Sequence, residues 1–312
     1  MRPKLKQVLW ERDGDLLRVV YDIRDYFEIA DPDGTVEALL GLLREGDRTV
    51  AQLAGSLDDV TVEEVEAALS AFDDQGLLED ADHLGRFSAA ERERYFSNLA
   101  YFESFATLDR SQEDFQQTLR DSHVLVLGTG GLNSNTIPHL CGLGVGRLTL
   151  LDRDRVEARN FARQYLYRWS DIGEVKVDSA AEWVRAFDPT IKVEAISSEV
   201  TSAEQVGELV DRFRPDVVMS GVDHPPQIDR WVNQGCVSRG VPFVRGGMWV
   251  TEGLVFSVDP GCPPAWTAAP PYRRANVTRS TTGWSRSTPT SPGPIAASAR
   301  SPGCSARSAP SR

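Results

Sequence analysis

The chain has 312 residues, with 46 acidic and 34 basic side chains, and a formal net charge of −12. This acidic balance argues against nonspecific binding to nucleic acid or to an anionic membrane surface. We find no apolar run that could span a bilayer, no signal-peptide core and no disulfide framework among four widely spaced cysteines. These features predict a globular protein of the reducing cytoplasm.

Residues 1–85 predict a small α+β, winged-helix-like domain. The stretches "KQVLWER" and "LLRVVYDIRDYFEIAD", split by the turn "DGD", have the β-branched and aromatic character of strands. Three helical stretches follow, and Thr61 with Glu64 forms a capping-box pattern at the start of the third. Helical spacing predicts two buried stripes: Val36, Leu39, Leu40 and Leu43, then Val62, Val65, Leu69 and Phe72.

The function of this first unit has two open interpretations. With 8 Lys and Arg against 21 Asp and Glu, residues 1–85 are a poor candidate for DNA binding. The stretches "DYFEIADPDGTVEALLGLLREGDRTVAQLA" and "VEEVEAALSAFDDQGLLED" resemble the PqqD-like RiPP recognition element. That resemblance implies capture of a leader peptide as an added strand. The alternative is a structural cap on the larger domain.

Residues 86–122 predict a helical connector, and residues 123–264 predict the main domain. In the connector, Tyr95, Leu99, Phe102 and Phe105 form an apolar stripe that indicates packing. From His123 onwards strands alternate with helices, which predicts an α/β fold with a doubly wound, mostly parallel, Rossmann-like sheet. Ligands bind such sheets at the carboxyl ends of the strands.

The segment "VLVLGTGGLNSNTIPHLCGLGVGRLTLLDRD" indicates a nucleotide-binding loop. It places Gly128, Gly130 and Gly131 between a strand and a helix, and Asp152 at the end of the next strand. Such a loop receives phosphates at the helix N-terminus, and the carboxylate can bind ribose hydroxyls. NAD and ATP both satisfy this pattern. The third glycine of a dinucleotide fingerprint is replaced by Asn133.

A second group of residues favours ATP over NAD. The stretch "DRDRVEARNFARQ" contains Asp154, Asn160, Arg163 and Gln164. Lys176 follows in "IGEVKVDSA", and Asp223 ends a later strand in "SGVDH". A triphosphate needs cations and a carboxylate that can hold Mg, whereas a nicotinamide needs neither at this edge.

The combined motifs resemble the ThiF/MoeB superfamily of adenylating proteins over about residues 123–250. They read "GTGGLNS", "GVGRLTLLDRDRVEARNFARQ", "IGEVKVDSA" and "SGVDH". The resemblance implies that the Gly131 backbone faces the nucleotide and Asp152 binds the ribose. It assigns phosphate contacts to Asn160, Arg163 and Lys176, and assigns Mg and the reacting α-phosphate to Asp223. The implied reaction is attack of a carboxylate on ATP, in a homodimer, with a peptide or carrier protein as substrate.

Three positions depart from the family pattern. Asn133 replaces a loop glycine, His224 replaces an asparagine, and Ser97 stands where the family has an arginine that reaches the partner subunit. Two functions therefore stay open: an adenylating enzyme of ribosomal peptide biosynthesis, or a ThiF-like scaffold that presents a leader peptide without turnover. A NAD-dependent oxidoreductase ranks third. Cys141 and Cys236 lie in helical patterns, which indicates packing rather than thioester chemistry.

The last 48 residues, 265–312, differ in composition from the rest of the chain. No acidic residue follows Asp259, and seven arginines do. The segment reads either as a disordered basic tail or as out-of-frame translation that truncates the adenylating domain. The family usually has a four-cysteine zinc site. Because Cys262 and Cys304 alone cannot make such a site, we expect this chain to bind no zinc.

Overall fold

A computed structural model describes residues 1–22, 25–249 and 252–261. The proposed tail, residues 265–312 with Cys304, lies outside these residues, and so does Cys262. The strands are β1 (Pro3–Leu5), β2 (Leu9–Asp13), β3 (Leu16–Asp22), β4 (Asp25–Ala30), β5 (Leu78–Asp80), β6 (His123–Leu127), β7 (Arg147–Asp152), β8 (Lys192–Ser197), β9 (Val217–Ser220), β10 (Phe243–Trp249) and β11 (Glu252–Val258). The helices are α1 (Thr35–Leu43), α2 (Val50–Ala54), α3 (Val62–Asp74), α4 (Ala89–Arg94), α5 (Phe96–Glu103), α6 (Gln112–Asp121), α7 (Asn133–Leu143), α8 (Lys176–Phe187), α9 (Ala203–Phe213) and α10 (Ile228–Val237).

The first unit is a three-stranded antiparallel sheet, in the order β2-β3-β4, packed against α1, α2 and α3. Leu17 and Val19 of β3 are fully buried among helix residues such as Leu40. This confirms the predicted small domain with antiparallel strands. A second, two-stranded sheet pairs β1 with β5 and was not predicted, because three-residue strands are too short to show an alternation.

Most local predictions in this unit and the connector are confirmed, with two corrections. Thr61 and Glu64 form the capping box, with the Glu64 N–H donating to Thr61 Oγ1 at 3.2 Å. Val62 does not join the buried stripe: as the first residue of α3 it is 38% exposed. Phe105 is 53% exposed, because α5 ends at Glu103 and the helical stripe ends with it.

The main domain is built on a six-stranded sheet in the order β11-β10-β9-β6-β7-β8. All neighbouring pairs are parallel except the antiparallel pair of β10 and β11, which confirms the mostly parallel, doubly wound fold. One face packs against α7 and α8, and the other against α9 and α10. The carboxyl ends of β6, β7 and β9 therefore meet at one edge. None of the helices described here is long and apolar enough to cross a bilayer.

The first unit is joined to the connector by buried polar contacts. Lys6 Nζ donates to the carbonyls of Gly76 and Ala106, each at 2.6 Å. On β5, Glu79 is 1% exposed and accepts a bond from Gln112 Nε2 of α6 at 3.3 Å. Burial raises the pKa of the Glu79 carboxyl, although Lys4 at 3.6 Å opposes the shift. The folded chain thus binds the Glu79 proton more tightly than the unfolded chain does.

We expect Glu79→Gln to change the pH dependence of stability. A raised pKa means that the contribution of Glu79 is fully present below its unfolded value of 4.5 and is lost as pH rises through the folded value. Relative to the wild type, Glu79→Gln should therefore be more stable at pH 7 than at pH 4, that is, its free energy of unfolding should be higher. Urea unfolding at both pH values measures this. The exposed Glu66→Gln is the control, and an equal difference at both pH values for Glu79→Gln would contradict the prediction.

Candidate active site

A cleft of about 300 Å³ opens at the carboxyl edge of the main sheet. It lies between the loops that follow β6, β7 and β9, where a doubly wound sheet binds its ligands. The predicted site residues that line it are Gly128, Gly130, Asp152, Asp154 and Asp223. Arg153 and Glu199 form an ion pair at the same cleft. Five predicted residues are thus brought together, and the remaining five lie behind or beside the cleft wall.

The glycine loop after β6 has two positions where an added Cβ would meet a close neighbour. Gly128 has a φ of +81°, and a Cβ there would lie 2.9 Å from Val222 Cγ2. A Cβ on Gly131 would lie 2.9 Å from Arg163 Nε. At Gly130, by contrast, a Cβ would meet open space. Gly130 is therefore the point where a ligand can approach the loop backbone closely.

The Asp152 carboxylate is held by the glycine loop itself. Its Oδ2 accepts the backbone N–H of Thr129 at 2.7 Å and Thr129 Oγ1 at 3.1 Å, and its Oδ1 accepts the N–H of Asp154 at 2.8 Å. Behind it, the buried Tyr167 hydroxyl donates to the Thr129 carbonyl at 2.7 Å. Burial raises the pKa of Tyr167, so the phenol stays protonated as a donor.

Sequence reasoning missed Thr129 and Tyr167. Both lie next to recognised motifs, Thr129 inside the glycine loop and Tyr167 three residues after Gln164. Neither has a spacing that links it to Asp152, and only the packing of the strand ends brings them into contact. A carboxylate offers about four acceptor positions, so Asp152 keeps capacity for a ribose hydroxyl.

Arg163 lies over the Gly131 backbone beside the cleft. Its guanidinium has no hydrogen bond or ion pair within the described parts of the chain, and the residue is exposed. Asn160 is buried, with its Oδ1 accepting the Glu157 N–H at 2.9 Å. Gln164 is also buried, and its amide oxygen has no hydrogen-bond partner among the same residues. Arg163 is therefore the side chain of this segment that is available to an anion.

Lys176 is the first residue of α8, and the carboxylate of Asp154 neutralises its side-chain charge. Its Nζ lies 3.1 Å from Asp154 Oδ2, with the lysine side chain buried and that of Asp154 57% exposed. The sequence-based role of Lys176 was a phosphate contact. In this structure the amine instead pairs with one of the acidic residues of the cleft, so a phosphate would have to share or replace that pair.

Asp223 lies in the segment that follows β9. It is exposed, it lines the cleft, and its carboxylate makes no hydrogen bond to any described residue. His224 follows it and lines the same cleft. Mg is usually held by one or two carboxylates together with substrate phosphates and water. The exposed Asp223 carboxylate fits this mode as a single protein ligand, and no group of three or more potential metal ligands is gathered within the described residues.

Asn133, which departs from the family glycine, does not enter the cleft. It is buried at the start of α7, and its Nδ2 donates to the carbonyls of Gly128 at 2.7 Å and Leu127 at 3.1 Å. The space for its side chain exists because the facing residue is Gly221, whose Cβ would lie 2.7 Å from Asn133 Nδ2. The departure from the pattern is compensated locally and supports the loop from behind.

The connector offers no free arginine at the position of Ser97. Ser97 is exposed on α5. Arg94 donates to the carbonyls of Cys141 and Gly142, and Arg92 donates to Glu113 at 3.2 Å. Both arginines are thus committed within the chain, so neither replaces the family arginine in this arrangement.

The two described cysteines are packing residues, as expected. Cys141 and Cys236 are fully buried. Burial raises the pKa of each thiol to about 12. Because the thiolate is the nucleophile, neither can attack an acyl adenylate at neutral pH.

The Asn133–Gly221 contact predicts a coupled pair. Gly221→Ala should destabilise by about 1–3 kcal/mol, because the new methyl group collides with the Asn133 amide. In an Asn133→Gly background the same change should cost less, with a coupling above about 0.5 kcal/mol. Denaturant unfolding of the four variants measures this. Gly142→Ala, where a Cβ meets open space, is the control. Additive effects at the pair would refute the contact.

Comparison with known proteins identifies the family. The ThiF family model matches residues 102–298. The chain is 34% identical over 152 residues to the molybdopterin-synthase adenylyltransferase of Escherichia coli K12, covering 48% of this chain and 59% of that protein. It is also 34% identical over 157 residues to the SAMP-activating enzyme E1 of Haloferax volcanii, covering 50% and 56%. Across three curated relatives, the match spans between 30% and 59% of their length.

Solved structures share the fold. E. coli MccB in complex with MccA-N7isoASN superposes with a TM-score of 0.62 at 18% identity, covering 84% of this chain and 73% of that one. The structure of PaaA gives a TM-score of 0.62 at 20% identity, covering 89% and 83%. With the matched family model spanning well over half of the chain, this protein belongs to the ThiF family.

Proposed function

We propose that the protein uses ATP to adenylate a carboxylate on a peptide or small carrier protein. The observation that carries this proposal is a cleft lined by the oriented carboxylate of Asp152 and by Asp223, with the Arg163 guanidinium against the adjoining glycine loop. Neither Asp223 nor Arg163 has a side-chain hydrogen bond or ion pair among the described residues. Names of the relatives point the same way, since they are adenylyltransferases or an activating enzyme. Solved structures of MccB include complexes with ATP and with MccA.

In the proposed reaction each side chain has one electrostatic task. Asp152 accepts a ribose hydroxyl, and the Gly130 backbone approaches the phosphates. Arg163 and Lys176 would neutralise phosphate charge, and Asp223 would hold Mg and support the reacting α-phosphate. A substrate carboxylate oxygen bonds to the α-phosphorus while the bond to pyrophosphate breaks. Mg, when bound, offsets the charge on the leaving pyrophosphate. No protein nucleophile is needed, because charge neutralisation and in-line positioning do the catalysis.

The proposed setting is ribosomal peptide modification by a cytoplasmic homodimer. It rests on the acidic first unit, whose sheet leaves β4 at one end of the order β2-β3-β4. A leader peptide that adds to such an edge would place its own C-terminal part for the chemistry. The alternative is a scaffold without turnover, and one observation favours it: the family arginine is replaced by Ser97 on α5.

ATP binding and ATP–pyrophosphate exchange test the proposal. We expect ATP with Mg to bind and NAD not to bind, and Arg163→Ala to weaken ATP binding by about 2 kcal/mol through loss of a charge-assisted hydrogen bond. Calorimetric titration measures both. Arg159→Ala is the matched control, because Arg159 is exposed nearby and paired with Glu157.

Exchange dependent on a substrate carboxylate should be present in the wild type and absent in Asp223→Asn. The change is nearly isosteric, and Asp223 makes no hydrogen bond to the described residues, so the fold should survive. ATP binding without exchange would favour the scaffold. Exchange that persists in Asp223→Asn would remove that residue from the mechanism, and tight NAD binding without ATP binding would overturn the proposal.

Leader capture predicts that affinity depends on main-chain hydrogen bonds of the peptide. The hypothesis expects a short precursor peptide encoded near the gene, which can be synthesised with N-methyl groups at alternate residues, in either of two registers. In an added strand, one register blocks the N–H groups that face β4 and the other blocks those that face solvent. Fluorescence anisotropy with the full chain should show about tenfold weaker binding for one register only, the loss of about 1.4 kcal/mol. Equal effects of both registers, or no binding of the unmodified peptide, would favour the structural cap.

A further inference from the structure

A buried ion pair lies beneath the segment that carries Asp223. Arg245, in β10, is 8% exposed, and its Nε donates to Asp229 Oδ1 at 2.5 Å. Its Nη1 donates to the Gly246 carbonyl. Arg245 does not line the cleft, so it is not placed to touch the nucleotide.

Arg245 is connected to both ends of one segment, by the strand register at one end and by its side chain at the other. Residues 221–227 connect β9 to α10 and carry Asp223. At one end, Arg245 is the register partner of Ser220, the last residue of β9. At the other end, Asp229 lies in the first turn of α10. Strand pairing with β10 therefore fixes the end of β9, and the Arg245 side chain ties β10 to the start of α10.

The position of Asp223 depends on this backbone. Its own carboxylate makes no hydrogen bond to the described residues, so no side-chain contact orients it. Within the segment, the Gly221 N–H donates to the Leu127 carbonyl at 2.9 Å, which fixes the β9 end. The other end begins at the turn in which the Ile228 N–H donates to the Pro225 carbonyl at 2.9 Å. The Arg245–Asp229 pair adds a polar link between the start of α10 and the sheet, next to the apolar packing of the buried Ile228.

Energetics argue that the pair serves geometry more than stability. Burying Arg245 carries a desolvation penalty, and its attraction to Asp229 is weakened by water because the Asp229 side chain is 38% exposed, so the pair adds little net stability. Two further buried polar atoms, Ser220 Oγ and Asn233 Oδ1, have no partner among the described residues. Ser220 adjoins Arg245 in the sheet, and Asn233 lies one helical turn after Asp229. A stretch with this many uncompensated polar groups is not optimised for stability.

We propose that Arg245 is a positioning residue for adenylation: through Asp229 it holds residues 221–227 so that Asp223 faces the cleft. This inference rests on the proposed function for the role of Asp223. The structural half of the proposal is that Arg245 holds residues 221–227 in place. It does not depend on any enzymatic activity, so it is tested first.

Amide hydrogen exchange tests the structural half. In Arg245→Met, exchange in residues 221–228 should be about tenfold faster or more, with little change elsewhere in the main domain. Arg120→Met is the matched control, because Arg120 pairs with Glu91 at 2.8 Å outside this segment. Unchanged exchange in residues 221–228 would overturn the proposal whether or not the protein adenylates anything. If Arg245→Met does not fold, Asp229→Asn gives the same test, because it keeps the arginine and weakens only its bond.

ATP–pyrophosphate exchange tests the catalytic half. Arg245→Met should lower kcat by about tenfold or more, the usual scale for an outer residue that orients a ligand-holding carboxylate. The KM for ATP should stay within about twofold, because the ribose and the outer phosphates are held elsewhere. Arg245→Lys should recover part of kcat. Equal losses in kcat for Arg245→Met and Arg120→Met, or an effect on KM alone, would overturn the role. A wild type without exchange refutes the proposed function and leaves hydrogen exchange to decide the structural claim.

Discussion

The candidate site depends on the hydrogen bonds between the glycine loop and the Asp152 carboxylate. They join the carboxyl end of β6 to that of β7, with Thr129 as the donor in the loop and Asp154 as the donor beyond β7. Because Tyr167 fixes Thr129 from behind, the carboxylate is oriented before any ligand arrives. Preorganisation of this kind removes a reorganisation cost from binding and from the chemical step.

The same loop is fitted against the Asp223 segment, so the two halves of the cleft form one packed body. Gly128 leaves space for Val222, and Gly221 leaves space for Asn133. At each contact one of the two residues is a glycine, and its lack of a side chain leaves room for the side chain of the other. Asn133, which stands where the family has a glycine, is therefore tolerated because the opposite residue, Gly221, is a glycine. Its side chain packs behind the loop, so this departure from the motif leaves the cleft open.

The sequence predicted the parts of the site that follow from topology. Gly128, Gly130, Asp152 and Asp223 meet because strand ends meet, and alternating strands and helices reveal those ends. The pairing of particular side chains with one another leaves no such periodic pattern in the sequence. The Lys176–Asp154 pair and the ties made by Thr129 and Tyr167 depend on three-dimensional packing, and the two-stranded sheet of β1 and β5 joins residues far apart in the chain. These contacts were accordingly missed.

The Lys176–Asp154 pair shows how a buried cation can be kept ready for an anion. A lysine buried alone would pay a large desolvation penalty and would tend to lose its proton. Asp154 offsets that penalty, yet its side chain is more than half exposed and can be hydrated when released. Exchanging this carboxylate for a phosphate would therefore cost little, because the lysine keeps an anionic partner and the aspartate gains water. On this argument the pair favours neither the scaffold nor a blocked site; it is the state expected of a phosphate-binding lysine between ligands.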